Sequence, residues 1–238
     1  YGGRAWANEI ARRGFAVLVH DVFPFESRMV HASGLPPFAV EKMMAAPEAQ
    51  REMSPEDLAS SEPVLRYEVP ADEPEAAIAR YNAFAGQHET LVAKSLICAG
   101  TTWPGVTLAE DSAALSYLAS RPDVDSSRLA CGGLSGGGMR SVFLAGQDDR
   151  VRCTFVVGFM TTWRDFCRNV SYTHTGMIYP PGIPGQMDFP EMLAARAPLP
   201  SLVLSTTEDP LYTRDEIVRA GAMLAATYAQ AGAPGAFR

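Results

Sequence analysis

The sequence contains no apolar run long enough to cross a membrane, and basic side chains are fewer than acidic ones. A transmembrane helix needs about 20 consecutive apolar residues, so the missing run excludes one. The net charge is −7 and the pI is about 5.1. Nucleic acids and anionic membranes repel such an acidic surface. We therefore expect neither a nucleic acid nor a membrane as partner.

Cysteine is scarce, with four residues in the chain: Cys98, Cys131, Cys153 and Cys167. No two of them have CxxC spacing, and no cluster of His, Cys and Asp has the spacing of metal ligands. We therefore predict no metal site and no cofactor. Free cysteines are among the most buried residue types, so the sequence predicts four buried free thiols.

The remaining composition, 47% hydrophobic and 20% charged, is typical of a globular protein. Helical periodicity alternates with short β-branched runs. The predicted helices span 3–13, 75–98, 107–120, 138–146 and 213–230, and the predicted strands span 15–19, 128–132, 151–157 and 199–206. Capping-box patterns at 107–110 and 213–216 mark two helix starts. This alternation predicts an α/β fold with a mostly parallel, doubly wound sheet, whose functional side chains lie at the carboxyl ends of the strands.

The most specific motif is Gly133-Leu134-Ser135-Gly136-Gly137, which lies between a strand-like run and a helix-like segment. A strand, a G-x-S-x-G turn and a helix together form a nucleophile elbow. The serine of such a turn has a strained backbone and passes close to its neighbours, so we expect that only glycine fits at 133 and 137. The helix that follows directs its free N–H groups at any oxyanion formed beside Ser135.

Two phosphate-binding interpretations of this glycine-rich stretch fail on residue identity. A P-loop requires Gly-Lys-Ser/Thr, whereas Gly138 is followed by Met139 and Arg140. A dinucleotide fingerprint requires glycine at position 134, where Leu134 stands. A plain glycine-rich turn is the remaining alternative.

Two segments lack clear periodicity. Residues 24–75 are rich in proline, alanine and acidic side chains, and we expect either a lid over the site or a disordered surface loop. Residues 160–198 form a second excursion, in which Trp163 and His174 are candidates for lining a pocket.

Arg140 and Arg164 either bind an acidic group of a substrate or form ion pairs, and ion pairing is the commoner state.

With these features the chain resembles the α/β-hydrolases, and more closely their acetyl-xylan-esterase-like, dienelactone-hydrolase-like and prolyl-oligopeptidase-like branch. The resemblance is carried by residues 13–21, 111–128, 133–138, 147–150 and 197–211. It implies that Ser135 is the nucleophile, that the Gly136 N–H is an oxyanion donor, and that Asp209 orients the catalytic base. Glu208 and Asp188 are rival acids, and Asp209 is favoured because its loop follows a predicted strand at the expected edge.

Two parts of the family pattern are missing from this sequence. The second oxyanion donor of the family comes from a loop after an earlier strand, and the base histidine follows the acid in chain order. We therefore expect residues 1–238 to be a single but incomplete α/β-hydrolase domain, truncated at its N- and C-terminal strands. Within the chain, His174 is the alternative base.

The resemblance implies a serine hydrolase that cleaves carboxylic esters through an acyl-enzyme, with acetylated carbohydrates as one candidate substrate class. A serine peptidase or amidase of the same fold is one alternative. A catalytically inactive α/β-hydrolase-like domain, without the base histidine, is another. We expect a small-molecule ester as partner, and the sequence leaves the oligomeric state open. The start of the sequence shows no signal-peptide pattern, which favours the cytoplasm.

Overall fold

The computed structural model describes residues 5–24, 28 and 89–238. They belong to two compact units, one formed by Tyr1–His20 with Thr102–Arg238 and the other by Asp21–Thr101. Most of the predicted excursion at 24–75 lies outside the described residues, as does the first part of the predicted helix at 75–98. The division into one domain with two excursions therefore stays a prediction.

In the Asp21–Thr101 unit, the described residues include one helical segment, at 89–98. It falls within the helix that the apolar spacing predicted. The chain leaves it through Gly100, whose φ of +77° lies in the left-handed region that favours glycine at a helix end. Cys98, in the last turn, is exposed.

The other unit is built on a three-stranded parallel sheet, with strand β1 at Leu129–Leu134, β2 at Val151–Val157 and β3 at Ser201–Leu204. The strands lie side by side in the order β1-β2-β3, and Leu134, Val157 and Leu204 are in register. The parallel sheet predicted from the sequence is confirmed, and β2 has the predicted bounds. Since all three strands end at one level, the residues that follow them share one edge.

In the described part of the chain, helices pack on one face of this sheet, so the second helical layer of the predicted doubly wound sheet stays a prediction. Helix α3, at Gly136–Gln147, fully buries Val142, and Val156 of β2 is fully buried beneath it. Helix α4, at Phe189–Ala194, approaches α3 so closely that a Cβ on Gly146 would lie 2.3 Å from the Met192 carbonyl oxygen. Helix α5 is at Arg214–Gln230. Among the described residues, the opposite face exposes Cys153, Leu202 and Leu204.

The prediction of a buried strand at 15–19 is wrong. This segment has no regular secondary structure and forms no β-bridge with any described residue, and Phe15 and Val19 are 61% and 63% exposed. An apolar run favours burial only where other elements cover it, and a strand requires a paired neighbour. The preceding helix α1 is confirmed but shorter than predicted, at Trp6–Ala11.

The helix start predicted at Thr107 is wrong, whereas the one predicted at Thr213 is confirmed, although without the capping hydrogen bond. Helix α2 spans Trp103–Ser120 and begins after Thr102, whose hydroxyl oxygen accepts a hydrogen bond from the Gly105 N–H at 3.0 Å. Proline is tolerated in a first helical turn, so Pro104 does not delay the start. The Thr107 hydroxyl instead donates to the Pro104 carbonyl within the helix. Thr213 precedes α5, but its hydroxyl bonds elsewhere, as described below.

All four cysteines are free, as predicted, but the prediction of burial is wrong for three of them. Cys98, Cys153 and Cys167 are exposed. Cys131 is half-buried in β1, and its thiol lies 3.4 Å from the Thr154 hydroxyl. Burial raises the pKa of the Cys131 thiol to about 11.

Candidate active site

Ser135 stands directly after β1 in a conformation that side chains rarely adopt, with φ 54° and ψ −118°. No other described residue except glycine has a positive φ. The Ser135 N–H donates to the Val157 carbonyl at 2.8 Å, which extends the sheet ladder by one residue and holds the strained turn in place. Such strain persists only where the surroundings fix it, and it is concentrated at functional sites.

The glycines beside Ser135 have different roles. A Cβ on Gly133 would lie 2.5 Å from the carbonyl carbon of Gly137, so the expectation that only glycine fits at 133 is confirmed. The same expectation is wrong for Gly137, because a Cβ there would meet no atom within 4 Å. The close approach is one-sided, since the Cβ direction of residue 133 points into the backbone of residue 137.

Helix α3 begins at the residue after Ser135, so its unsatisfied N–H groups lie beside the serine. The Ser135 hydroxyl makes no capping hydrogen bond to them, which leaves the first N–H groups of the helix, including that of Gly136, available to a ligand. The positive end of the helix dipole lies at the same place. This geometry suits the binding of a negative charge that develops on an oxygen bonded to the carbon that the Ser135 oxygen attacks.

Asp209 follows β3 by five residues, on the edge that Ser135 also occupies. It is half-buried, and its Oδ1 accepts a hydrogen bond from the Leu211 N–H at 3.0 Å. Glu208, the neighbouring rival, is exposed. Asp188, the other rival, caps helix α4 and accepts from the backbone N–H groups of Trp163 and Phe189. Asp188 is therefore engaged in holding secondary structure.

His174 lies against the loop that carries Asp209. Its ring is stacked on Tyr212, with centroids 5.4 Å apart and planes 17° apart, and it also contacts the ring of Phe166. Its Nε2 is 3.2 Å from the Leu211 carbonyl oxygen. Burial lowers the pKa of His174, although the Leu211 carbonyl and the charges of Asp165 and Asp209 oppose this shift. The imidazole is therefore neutral near pH 7.

Trp163 is buried, and its ring centroid is 3.9 Å from that of Phe189. Its indole N–H donates to the Met187 carbonyl. These contacts join two parts of the 160–198 segment, and Phe189 in turn has its ring centroid 6.4 Å from that of Phe143 in α3. A role for Trp163 or His174 in lining a substrate pocket stays a prediction.

Sequence reasoning missed Asp165, which is fully buried in a π-helical turn at Asp165–Asn169. Its carboxylate accepts from the hydroxyls of Thr161 and Thr213, from the Thr213 N–H and from the Asn169 amide, all at 2.8–2.9 Å. Burial raises the pKa of a carboxyl group, but these hydrogen bonds outweigh it and the pKa of Asp165 is lowered. The sequence did contain a signal for this cluster. Thr161, Asp165 and Asn169 are polar and four residues apart, which is the spacing of side chains on one face of a helix.

The two arginines considered as ligands for an acidic substrate group are both ion-paired. Arg140 of α3 binds both carboxylate oxygens of Asp111 in α2, and its guanidinium also lies 3.0 Å from Nε2 of His20. Arg164 lies 3.6 Å from Glu216. The Asp111–Arg140 pair joins α2 to the helix of the elbow.

Neither a membrane span nor a metal centre was found in the described part of the chain. None of its helices is both long and apolar enough to cross a bilayer. None of its His, Cys, Asp and Glu side chains form a group of three or more that could hold a metal ion.

The comparisons with known proteins gave two informative similarities, while no protein-family model matches the chain. The "Putative hydrolase YtaP" of Bacillus subtilis (strain 168) is 26% identical over 163 residues, which cover 64% of this chain and 52% of that protein. A crystal structure described as a "putative acetyl xylan esterase" from Bacteroides fragilis NCTC 9343 superimposes with a TM-score of 0.56 at 19% identity, over 71% of this chain and 44% of the other. The chain thus spans about half the length of these relatives. With its parallel sheet, its elbow and this superposition, the chain has the α/β-hydrolase fold.

Proposed function

We propose that this chain carries the nucleophile and the acid of a serine hydrolase that cleaves carboxylic esters. The observation that supports this most is the backbone of Ser135, held at φ 54° between β1 and α3 with its hydroxyl not used as a helix cap. A serine kept in a strained turn at a helix start suits a nucleophile better than a structural role, since glycine would fit there at lower cost.

The proposed reaction is acyl transfer. The Ser135 oxygen attacks the ester carbonyl carbon while a histidine oriented by Asp209 takes the hydroxyl proton. The N–H of Gly136 donates to the oxyanion that forms, and the histidine returns the proton to the departing alkoxide. Water then attacks the acyl-enzyme by the same route, releasing the acid and restoring Ser135.

The relatives support an ester as substrate. One is described as a hydrolase and the other as an acetyl xylan esterase. We therefore propose a small-molecule or carbohydrate ester as the substrate class, with an acetyl ester of a carbohydrate as the first candidate.

Labelling with a fluorophosphonate probe tests the nucleophile directly. In a protein that supplies the base histidine after Asp209, we expect the probe to modify Ser135, and we expect Ser135→Ala to abolish both labelling and turnover of p-nitrophenyl acetate. Ser205→Ala is the matched control, because Ser205 follows β3 at the same edge of the sheet and is exposed. Equal activity in Ser135→Ala and the unmodified chain would exclude the proposal.

Paired substrates test the class of bond. We expect p-nitrophenyl acetate to be cleaved much faster than the matching p-nitroanilide, and acetate to be released from acetylated xylo-oligosaccharides. Faster cleavage of the anilide would favour the amidase alternative. If neither the ester nor the anilide is cleaved and the probe does not label Ser135, the alternative of a catalytically inactive domain is favoured.

A further inference from the structure

The loop that carries Asp209, residues 205–213, is the acid loop. Most of its residues are exposed, and it contains no helix or strand. Its internal bond joins Asp209 Oδ1 to the Leu211 N–H at 3.0 Å. Loops with few buried contacts sample several conformations, so the direction of the Asp209 carboxylate depends on what holds the loop from outside.

One external anchor lies at the end of the acid loop. The fully buried Asp165 accepts from both the N–H and the hydroxyl of Thr213 at 2.8 Å. This anchor fixes the point at which the chain enters helix α5. It lies four residues beyond Asp209 and does not touch the Asx turn, which is the turn closed by the hydrogen bond from the Leu211 N–H to Asp209 Oδ1.

The second anchor acts on the Asx turn. The two polar backbone groups of Leu211 have different partners, since the N–H binds Asp209 and the carbonyl lies 3.2 Å from Nε2 of His174. A carbonyl oxygen only accepts hydrogen bonds, so Nε2 must carry the proton in this contact. The neutral imidazole is therefore the tautomer with its proton on Nε2. The next residue, Tyr212, is buried and stacks on the same imidazole ring. His174 therefore holds Leu211 and Tyr212 together.

We infer that His174 is a positioning residue, which fixes the direction of the Asp209 carboxylate through the backbone of Leu211. The inference rests on the proposed function, because it assigns Asp209 as the acid of that reaction. Misplacement of a catalytic group by 1 Å can lower the rate by about a hundredfold. The role differs from that of a base, since Nε2 is directed at a backbone carbonyl.

Two substitutions separate the hydrogen bond from the ring. His174→Phe keeps a ring against Tyr212 and removes the donor. His174→Gln places an amide N–H near the position of Nε2 and removes the ring. In a protein that supplies the base histidine, we expect His174→Phe to lower kcat for p-nitrophenyl acetate about tenfold with KM little changed, and His174→Gln to recover most of the loss. Tyr172→Phe is the control, because Tyr172 lies two residues away and is 85% exposed.

A double-mutant cycle with Asp209→Asn tests whether His174 acts through the acid. In the same protein, with the base histidine present, we expect His174→Phe to slow Ser135 labelling about tenfold when Asp209 is intact and to have no further effect when Asp209→Asn is also present. Equal slowing in both backgrounds would overturn the inference, as would wild-type kcat in His174→Phe. If His174→Phe fails to fold, the same cycle is run with His174→Gln. Because glutamine keeps the N–H donor, a loss of more than tenfold in kcat in this variant would overturn the inference.

The same assays separate a failure of this inference from a failure of the proposed function. If Ser135→Ala retains turnover, the proposed function is wrong whatever the His174 variants do. If Ser135→Ala is inactive and the cycle is additive, the serine hydrolase stands and His174 is not a positioning residue.

Discussion

The backbone of Gly133 lies against that of Gly137, so that a Cβ on Gly133 would be 2.5 Å from the Gly137 carbonyl carbon. The contact closes the turn around Ser135 and brings the end of β1 onto the start of α3. It is specific to one of the two glycines, because the Cβ position of Gly137 has open space around it. The pair offers a matched test of the elbow.

Gly133→Ala should be strongly destabilising and Gly137→Ala tolerated. The added methyl group at 133 meets backbone atoms that cannot move without displacing the elbow, and we expect a loss of about 3 kcal/mol in the free energy of unfolding. At 137 the helical backbone accepts alanine, and we expect a change within about 1 kcal/mol. Urea unfolding measures both. Equal losses at the two positions would show that the turn is not closed by this contact.

Ser135→Gly should be more stable than Ser135→Ala. Both lack the hydroxyl, but glycine adopts a positive φ without the steric cost that a Cβ imposes. We expect the glycine variant to be more stable by about 1 kcal/mol, since strain of this kind costs about 1–3 kcal/mol and glycine has a more flexible unfolded chain. Urea unfolding of the two variants measures the difference, and equal stability would mean that Ser135 is not strained.

Asp111→Ala should destabilise the packing of α2 on α3. The substitution leaves the partly buried Arg140 guanidinium without its carboxylate, and we expect a loss of about 3 kcal/mol. Asp123→Ala is the control, because it breaks an exposed ion pair with Arg121 and should leave the melting temperature unchanged. Similar melting temperatures for the two variants would contradict the structural role of Asp111.

Asp165 should make stability depend on pH at the acidic end. Its folded pKa is lowered from the ordinary value of 3.8, so its contribution is fully present above that value and is lost as the pH falls through the folded pKa. Asp165→Asn places an amide donor among other donors, and we expect a loss of about 2 kcal/mol at pH 7. The difference between the two proteins should shrink below pH 3.8. Urea unfolding at pH 7 and in this acidic range checks the trend, and a constant difference would contradict it.

The thiols should fall into two reactivity classes. Cys98, Cys153 and Cys167 are exposed and should react with Ellman's reagent in the native protein. Cys131 should react only after unfolding, because burial raises its pKa to about 11 and limits the approach of the reagent. Counting released thiolate before and after adding guanidinium measures both classes. Four fast thiols would show that β1 is open to solvent.

The sequence predicted the structure correctly where residues that are close together in the chain decide it. The elbow follows from glycine and serine at fixed spacing between a strand and a helix, and β2 follows from a β-branched apolar run. The predicted strand at 15–19 is equally apolar, yet pairing and cover come from other parts of a chain, which a local pattern does not report. The capping hydrogen bond predicted at Thr213 is absent for a similar reason, because the Thr213 hydroxyl has a distant carboxylate, that of Asp165, as its partner.

By itself, the sequence determined the α/β alternation, the parallel sheet, the elbow at Ser135 and the place of Asp209 after a strand. Each of these features follows from the spacing and type of residues that are close together in the chain, and the sheet follows from the order in which such segments alternate. The tertiary structure alone decided that Asp165 binds Thr213, that His174 holds Leu211, and that Gly133 rather than Gly137 is sterically constrained. These depend on atoms brought together by folding from 37 to 48 positions apart, or on the direction of one Cβ bond.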